Sequence, residues 1–272
     1  MKNKAVSAPY TIWMTIFIIV PTLLVAYFAF TDKSGSFTLA NIAKVGQYSN
    51  VFLRSIWLGA IATALSLLIG YPIAYIIAKC GVKQQAVLIM LIMLPMWMNF
   101  LLRTYAWMSL LEDNGLINNL LVAVGLPRVH MINTAGAVVL GMVYNYIPYM
   151  ILPIYSVLTK IDTRIIEAAQ DLGANDRKVF MKVIFPMSMP GLISGITMVF
   201  VPSVSTFIIS KMLGGGGNLL IGDLIDMQFL GSAYNPNLGS AISLVLMVII
   251  LICMGIMNQF DDGEEIGGGM IL

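Results

Sequence analysis

Long apolar runs separated by short polar stretches make up most of this chain. Such runs are typical of membrane-spanning helices, because about twenty residues, at about 1.5 Å each, cross the hydrocarbon core of a bilayer. Pro95 is expected to kink the third run, since proline interrupts the hydrogen-bond ladder of a helix. The pattern predicts an all-α, polytopic membrane bundle that forms a single domain over residues 1–272. We expect about six transmembrane helices, over residues 10–30, 51–78, 86–111, 134–158, 187–212 and 238–260.

Composition also indicates a polytopic membrane protein, since 59% of the residues are hydrophobic and only 10% are charged. The net charge of +2 does not indicate a nucleic-acid partner, because the basic residues lie at the ends of apolar runs and form no stripe. Cys80 and Cys253 show neither a CxxC motif nor metal-ligand spacing, and His130 is isolated. No metal site is therefore expected.

The distribution of Lys and Arg predicts the orientation, because cytoplasmic loops are richer in these residues. The richer side carries Lys2, Lys4, Lys79, Lys83, Lys160, Arg164, Arg177, Lys178 and Lys182, against Lys33, Lys44, Arg54, Arg128 and Lys211 on the other. We therefore expect both termini in the cytoplasm, together with the loop over residues 160–190. The chain ends in an acidic segment to which the sequence assigns no role, Asp261, Asp262, Glu264 and Glu265.

The polar stretch EAAQDLGANDRKVFMKVIFP, residues 167–186, is predicted to form two short helices joined by a sharp bend. At about 100° per residue, an apolar face forms from Ile165, Ala169 and Leu172, opposite the acidic Glu167 and Asp171. Asp162 is a candidate cap for the first helix, and Gly173 is a candidate for the left-handed residue that ends it. Asn175 or Asp176 would cap the second helix.

This stretch resembles the EAA loop of bacterial ABC importer permeases, which is identified by fixed spacing. The matching residues are Glu167, Ala168, Ala169, Gly173, Val183, Phe185 and Pro186, with Val and Phe where Ile and Leu are usual. The resemblance implies the type I (MetI-like) permease fold and a cytoplasmic coupling helix that docks on a separate ATPase subunit. The residues expected to couple are Glu167, Ala168, Ala169, Asp171, Leu172, Gly173 and Pro186. The alternative is an ordinary charged loop between two spans.

No catalytic constellation is evident in the sequence. The run Gly214 to Gly217 is not followed by the Lys and Ser/Thr of a phosphate-binding loop, and no nucleophile elbow or HExxH motif occurs. We therefore expect a non-catalytic chain without a cofactor of its own, whose partner ATPase binds ATP and Mg²⁺.

Most of the chain further resembles the first permease subunit of spermidine/putrescine importers. The segments that carry this resemblance are GYPIAY (70–75), LPMWMNFLLRTYAW (94–107), EAAQDLGA (167–174) and GGGGNLLIGDLIDMQFL (214–230). It implies a polyamine substrate, alternating access in a bacterial inner membrane, and a set of partners: a second, different permease, two copies of the ATPase and an extracytoplasmic binding protein. The EAA loop alone would also fit permeases for sulfate, molybdate, thiamine, iron or amino acids. A secondary transporter that works without ATP is the third alternative.

A polycation needs carboxylates, water or aromatic faces along its route, because each unpaired charge at the bilayer centre is costly. No predicted span contains Asp or Glu, so either the partner permease supplies acidic groups or this chain offers rings and neutral acceptors. Aromatic residues near span ends are also common interfacial anchors, and acidic residues in a loop also serve to dock a binding protein. The candidates are Trp97, Asn99, Tyr105, Trp107, Tyr144, Asn145, Tyr146, Tyr149, Ser203, Asp223 and Asp226.

Two further features of the spans leave alternatives open. The many hydroxyls of the fifth span suit a pathway wall, whereas Gly191 and Gly195 suit close helix packing. Arg103 is placed near the outer interface, where its default role is to reach the lipid headgroups, with a gate or a partner contact as the alternative.

Overall fold

The computed structural model describes residues 4–231 and 233–259, and the regular elements of this part of the chain are helices joined by turns and loops. Within these ranges the backbone forms no strand beyond one isolated antiparallel bridge between Thr31 and Phe37. The predicted all-α class is confirmed. The acidic residues Asp261, Asp262, Glu264 and Glu265 lie outside the described residues, as does Lys2.

The first half of the chain contains two long apolar helices and one sharply bent pair. The elements are α1 (Lys4–Met14), a π-helical turn (Thr15–Ile19), α2 (Val20–Ala29), α3 (Ala40–Val45), a 3₁₀ turn (Gly46–Tyr48), α4 (Ser49–Ala78), α5 (Val82–Trp97), α6 (Phe100–Leu111) and α7 (Leu116–Ala123). The first three run on as one span, whereas α5 meets the α6–α7 segment at 88°.

The second half repeats this alternation of straight and broken helices. Its elements are α8 (Ala135–Leu158), α9 (Thr163–Asp171), α10 (Asp176–Val179), a π-helical turn (Phe180–Ile184), α11 (Phe185–Met187), α12 (Met189–Ser205), α13 (Ile208–Leu213), α14 (Ile221–Phe229) and α15 (Pro236–Gln259). Four helices of the described chain are long and apolar enough to span a membrane, or six if each bent pair is one span.

Helix α8 lies at the centre of the bundle and packs against α4 and α12. Glycines allow this close approach: a Cβ at Gly191 would lie 2.7 Å from the Pro153 carbonyl oxygen, and one at Gly195 would lie 2.9 Å from the Met150 sulfur. The packing interpretation of these two glycines is therefore confirmed. A Cβ at Gly70 of α4 would lie 3.1 Å from Cγ of the same Met150 side chain.

Several predicted boundaries are wrong, because loops and spans are more broken than hydropathy alone indicates. The third run is interrupted after Pro95: α5 ends at Trp97, and the Asn99 side chain accepts hydrogen bonds from Leu101 N and Leu102 N to start α6. The fifth span breaks near Ser188, where the axis turns by 62°, and ends at Ser205 instead of 212. The loops predicted after spans one, three and five contain α3, α7 and α14 respectively.

Candidate functional site

Helix α9 is a short surface helix whose two ends are fixed by its own sequence. The Asp162 carboxylate accepts a hydrogen bond from Arg164 N at 2.9 Å, which caps the amino end. At the other end Gly173 N donates to the Gln170 carbonyl and Ala174 N to the Ala169 carbonyl, the paired bonds of a Schellman motif. Gly173 has a φ of 81°, the left-handed conformation that glycine adopts without strain. Both predicted ends of this helix are confirmed.

The face that α9 turns toward the bundle differs from the predicted one by about one residue. Ile166 and Ala169 pack on the core that contains Ile154, Leu158 and Val179. Of the predicted apolar face, only Ala169 packs on this core, whereas Ile165 is 43% exposed and Leu172 is 89% exposed.

The outer face of α9 carries acidic and apolar groups side by side. Glu167, Ala168 and Asp171 are exposed, and neither carboxylate takes part in an ion pair within the described chain. Leu172 lies at the edge of this face. An exposed helix face that combines unpaired carboxylates with a large apolar side chain is chemically suited to contact another protein.

The second helix of the predicted pair begins with Asn175, whose side chain accepts a hydrogen bond from Lys178 N at 3.0 Å. Gln170 Nε2 donates to Asp176 Oδ1 at 3.4 Å, which links α9 to α10 across the bend. Val179 and Ile184 are buried in the core beneath them. The predicted helix, sharp bend and helix are thus present, and Asn175 is the cap.

An aromatic cluster joins this loop to the spans. The Phe180 ring lies 5.9 Å from the Tyr71 ring and 5.3 Å from the Tyr75 ring of α4, and Phe185 lies 5.8 Å from Tyr71. The Tyr71 hydroxyl forms a 2.8 Å hydrogen bond with Ser188 Oγ at the break before α12. These contacts attach the loop both to α4 and to the start of α12. Pro186, which is half-buried, lies next to Phe185 in the same segment.

A cavity of about 460 Å³ lies between the α4–α5 turn and α9. Ile166 of α9 lines one wall, and Lys79, whose ammonium lies 4.3 Å from the Tyr75 ring centroid, lines the other. Gln85 connects this wall to α8 and to the end of α4. Its Oε1 accepts a hydrogen bond from the Tyr155 hydroxyl at 3.0 Å, and its Nε2 donates to the Ala78 and Cys80 carbonyls. Sequence reasoning identified neither the cavity nor the aromatic cluster, although GYPIAY contains two of the aromatic residues.

The structure brings together only some of the predicted pathway residues. Trp107 of α6 and Tyr144 of α8 meet edge to face at 5.3 Å, and Tyr146 packs on the same apolar cluster as Trp107. Trp97 and Tyr105 are 69% and 52% exposed on the bent helix pair. Tyr149, on α8, is also exposed.

The side chains of the neutral polar candidates form hydrogen bonds with backbone groups of their own helices. Asn99 is exposed and caps α6. The Asn145 side chain is buried and donates to the Gly141 carbonyl at 2.8 Å, but its Oδ1 accepts no hydrogen bond from the described residues. Ser203 is buried and donates to the Val199 carbonyl at 2.7 Å.

Asp223 and Asp226 lie on the predicted short helix, which is α14. Asp223 is 3% exposed, and its Oδ2 accepts a hydrogen bond from Leu220 N at 2.9 Å, so it caps the helix that contains it. Burial raises the pKa of Asp223 above the ordinary range of an aspartate, an effect that the Leu220 hydrogen bond, the nearby Ser210 hydroxyl and Lys211 partly offset. Asp226 forms an ion pair with Lys211, with 3.1 Å between Nζ and Oδ2.

Arg103 lies inside the bundle rather than at the headgroups, so its expected reach to lipid is wrong. The residue is 8% exposed, its Nε and Nη1 have no hydrogen-bond partner in the described chain, and its Cζ lies 5.8 Å from the Phe100 ring centroid. The 88° bend between α5 and α6 produces this placement, since it turns α6 away from the line of the span.

Three comparisons relate this geometry to known proteins. The model of the family "Binding-protein-dependent transport system inner membrane component" matches residues 70–263. The spermidine/putrescine transport system permease protein PotB of Haemophilus influenzae is 38% identical over 88% of this chain and 86% of its own length. PotB of Escherichia coli is 34% identical over 88% of this chain and 90% of its own length.

Solved structures of low sequence identity share the fold. A crystal structure of a bacterial ABC transporter involved in the import of the acidic polysaccharide alginate has a TM-score of 0.77 at 20% identity, covering 96% of this chain and 94% of its own. A second structure, of the alginate transporter in complex with an alginate pentasaccharide-bound periplasmic protein, gives the same score and identity over 98% of this chain and 95% of its own.

Proposed function

Because the chain belongs to the family of binding-protein-dependent transport system inner membrane components, we propose that it imports polyamines, spermidine or putrescine, as one subunit of an ATP-driven assembly. The relatives named as spermidine/putrescine permeases support this substrate class, since they match almost the whole chain at 34–38% identity. The fold shared with the alginate transporter supports the importer architecture, and not the substrate.

The observation that carries this proposal is the outer face of α9. The helix is capped at its amino end by Asp162 and terminated at its carboxyl end by Gly173. Glu167, Asp171 and Leu172 are exposed on its outer face, and neither carboxylate forms an ion pair in the described chain. We assign this face to the contact with a separate ATPase subunit, which binds the ATP and Mg²⁺ that this chain has no motif to hold. Glu167, Ala168, Ala169, Asp171, Leu172, Gly173 and Pro186 then transmit force and perform no chemistry.

The aromatic cluster gives this contact a route into the spans. Movement of α9 and α10 displaces Phe180 against Tyr71 of α4, and the hydrogen bond between Tyr71 and Ser188 carries the displacement to the break before α12. Because α4 and α12 both pack on α8, a small shift at the cytoplasmic end changes the relative tilt of three helices. Such a change of tilt would open the substrate pathway between the two permeases to one side of the membrane and then to the other, which is alternating access.

The absence of acidic residues from the long helices limits how this chain could hold a cationic substrate. The helices α4, α5, α6, α8, α12 and α15 contain no Asp or Glu, so a polycation depends here on the Trp107–Tyr144 pair and on neutral acceptors such as Asn145. Acidic groups within the membrane then come from a second, different permease. The full assembly contains these two permeases, two copies of the ATPase and an extracytoplasmic binding protein, in the bacterial cytoplasmic membrane with both termini of this chain inside.

The proposal is tested by reconstituting the complete assembly in liposomes and measuring uptake of labelled spermidine. Uptake is expected to require ATP and the binding protein, and to be inhibited by unlabelled putrescine but not by amino acids or sulfate. Inhibition by an amino acid or by sulfate alone would reassign the substrate. Uptake that continues without ATP would instead indicate a secondary transporter.

A further inference from the structure

A small cavity lies between α13 and α14, beside the buried Asp223 and the partly buried Asp226 of α14. Its volume is about 120 Å³. Three charged residues, Lys211, Asp223 and Asp226, line it. The remaining lining residues are Ser210, Gly215, Gly216, Leu219 and Met227.

The two side chains of the ion pair in this cavity differ strongly in exposure. The Asp226 side chain is 18% exposed on α14, whereas the Lys211 side chain is 67% exposed and reaches it across 3.1 Å. Lysine has a flexible four-carbon stem, and ion pairs with an exposed partner are weak. Lys211 can therefore leave Asp226 at little cost if another cation takes its place.

A second carboxylate beside the pair has one oxygen without a donor. Asp223 is 3% exposed, its Oδ2 is used by Leu220 N, and its Oδ1 has no hydrogen-bond partner in the described chain. Buried carboxylate oxygens normally have a donor, because leaving one without a partner is costly. A group that brings more than one N–H into this cavity would satisfy Asp223 as well as Asp226.

We propose that Lys211 occupies the place of a substrate ammonium group, and that a polyamine displaces it from Asp226 as it enters the pathway. The lysine side chain ends in four methylenes and an ammonium, which is also the structure of the aminobutyl arm of spermidine and of one end of putrescine. The exchange replaces one cation by another, so the cavity keeps its charge. This inference rests on the proposed polyamine function and adds to it a binding subsite with a built-in competitor.

The test measures equilibrium binding of labelled spermidine to the purified assembly of this chain with its partner permease and ATPase, without the binding protein. K211M keeps the length of the side chain but removes the competing charge, and is expected to tighten binding about two- to fivefold. D226N is expected to weaken binding by at least about fivefold, and the double variant K211M/D226N should behave like D226N alone. The small probe n-butylamine should compete with spermidine more strongly in K211M than in the wild type.

The matched control is K33M, which removes an exposed lysine that forms no ion pair in the described chain and is expected to leave binding unchanged. Weaker or unaltered binding in K211M, or a K211M effect that persists beside D226N, overturns the inference. Spermidine import by the wild-type assembly is measured in parallel. If import occurs but no form binds spermidine at this site, the subsite is refuted and the function stands, whereas absence of import refutes the function itself.

Discussion

Arg103 is the residue whose environment departs most from what its chemistry prefers. A guanidinium carries five donors and stays charged, so burial without acceptors is expensive. Here Nε and Nη1 are buried without a partner in the described chain, and the nearest compensation is the Phe100 ring at 5.8 Å. In the single chain, this side chain therefore costs stability rather than providing it.

Replacing Arg103 by Met is expected to leave the thermal midpoint of the separately purified chain unchanged or to raise it. Met fills a similar volume and leaves no unpaired donor, and such replacements of buried charges are often neutral or stabilising. The matched control is R54M, because Arg54 Nη1 donates to the Gly217 carbonyl at 2.8 Å and its loss should cost about 0.5–1.5 kcal/mol. A larger loss for R103M than for R54M, in the same thermal assay, would contradict this account.

Asp223 predicts a pH dependence whose sign follows from its burial. Since burial raises its pKa, the protonated form is favoured in the folded chain, and this contribution to stability is complete below about pH 3.9 and lost as the pH rises through the raised value. D223N is neutral at all pH values. We therefore expect D223N to melt at or above the wild-type temperature at pH 7, with the difference between the two shrinking toward pH 4. A constant destabilisation of D223N at both pH values would show that the carboxylate is stabilised by its bonds instead.

At the scale of elements, the loop over α9 and α10 depends on one left-handed residue. A Cβ at Gly173 would meet nothing within 4 Å, so replacement by Ala adds only backbone strain, of about 1–2 kcal/mol, at a φ of 81°. We expect G173A to lower ATP-dependent uptake by up to about tenfold while the chain still reaches the membrane.

Asparagine tolerates the left-handed conformation, so G173N should recover most of the activity that G173A loses. Gly46 provides the control: its φ is −55° and a Cβ there is also unobstructed, so G46A should transport like the wild type. Equal uptake by G173A and the wild type would remove the bend from the coupling mechanism.

The sequence predicts these elements where the signal is local, and fails where packing decides. The caps at Asp162 and Asn175 and the stop at Gly173 need only neighbouring backbone, and all three are confirmed. Which residues of α9 face the bundle depends on what lies beneath the helix, and helical periodicity alone does not identify Ile166 as the residue that packs there. The burial of Arg103 likewise follows from an 88° bend whose angle hydropathy does not encode.

For the molecule as a whole, the apolar surface is distributed very unevenly among the spans. The most apolar window of α8 is 56% buried within the chain, whereas that of the first span is only 6% buried. The first span is therefore covered by lipid or by a partner subunit, and α8 forms the interior around which α4 and α12 pack.

The orientation is the last prediction, and two exposed positions at opposite ends of the bundle test it. Leu172 is 89% exposed beside α9, and Val124 is 74% exposed in the segment after α7. In a chain whose Cys80 and Cys253 are replaced by Ala, a membrane-impermeant maleimide applied to intact cells should label V124C, and should label L172C only after the membrane is permeabilised. Because the proposed ATPase partner would use cytoplasmic ATP, labelling of L172C in intact cells would rule out α9 as the coupling helix, whatever the substrate. Labelling of L172C but not of V124C from outside would show that the Lys and Arg distribution does not set the topology here.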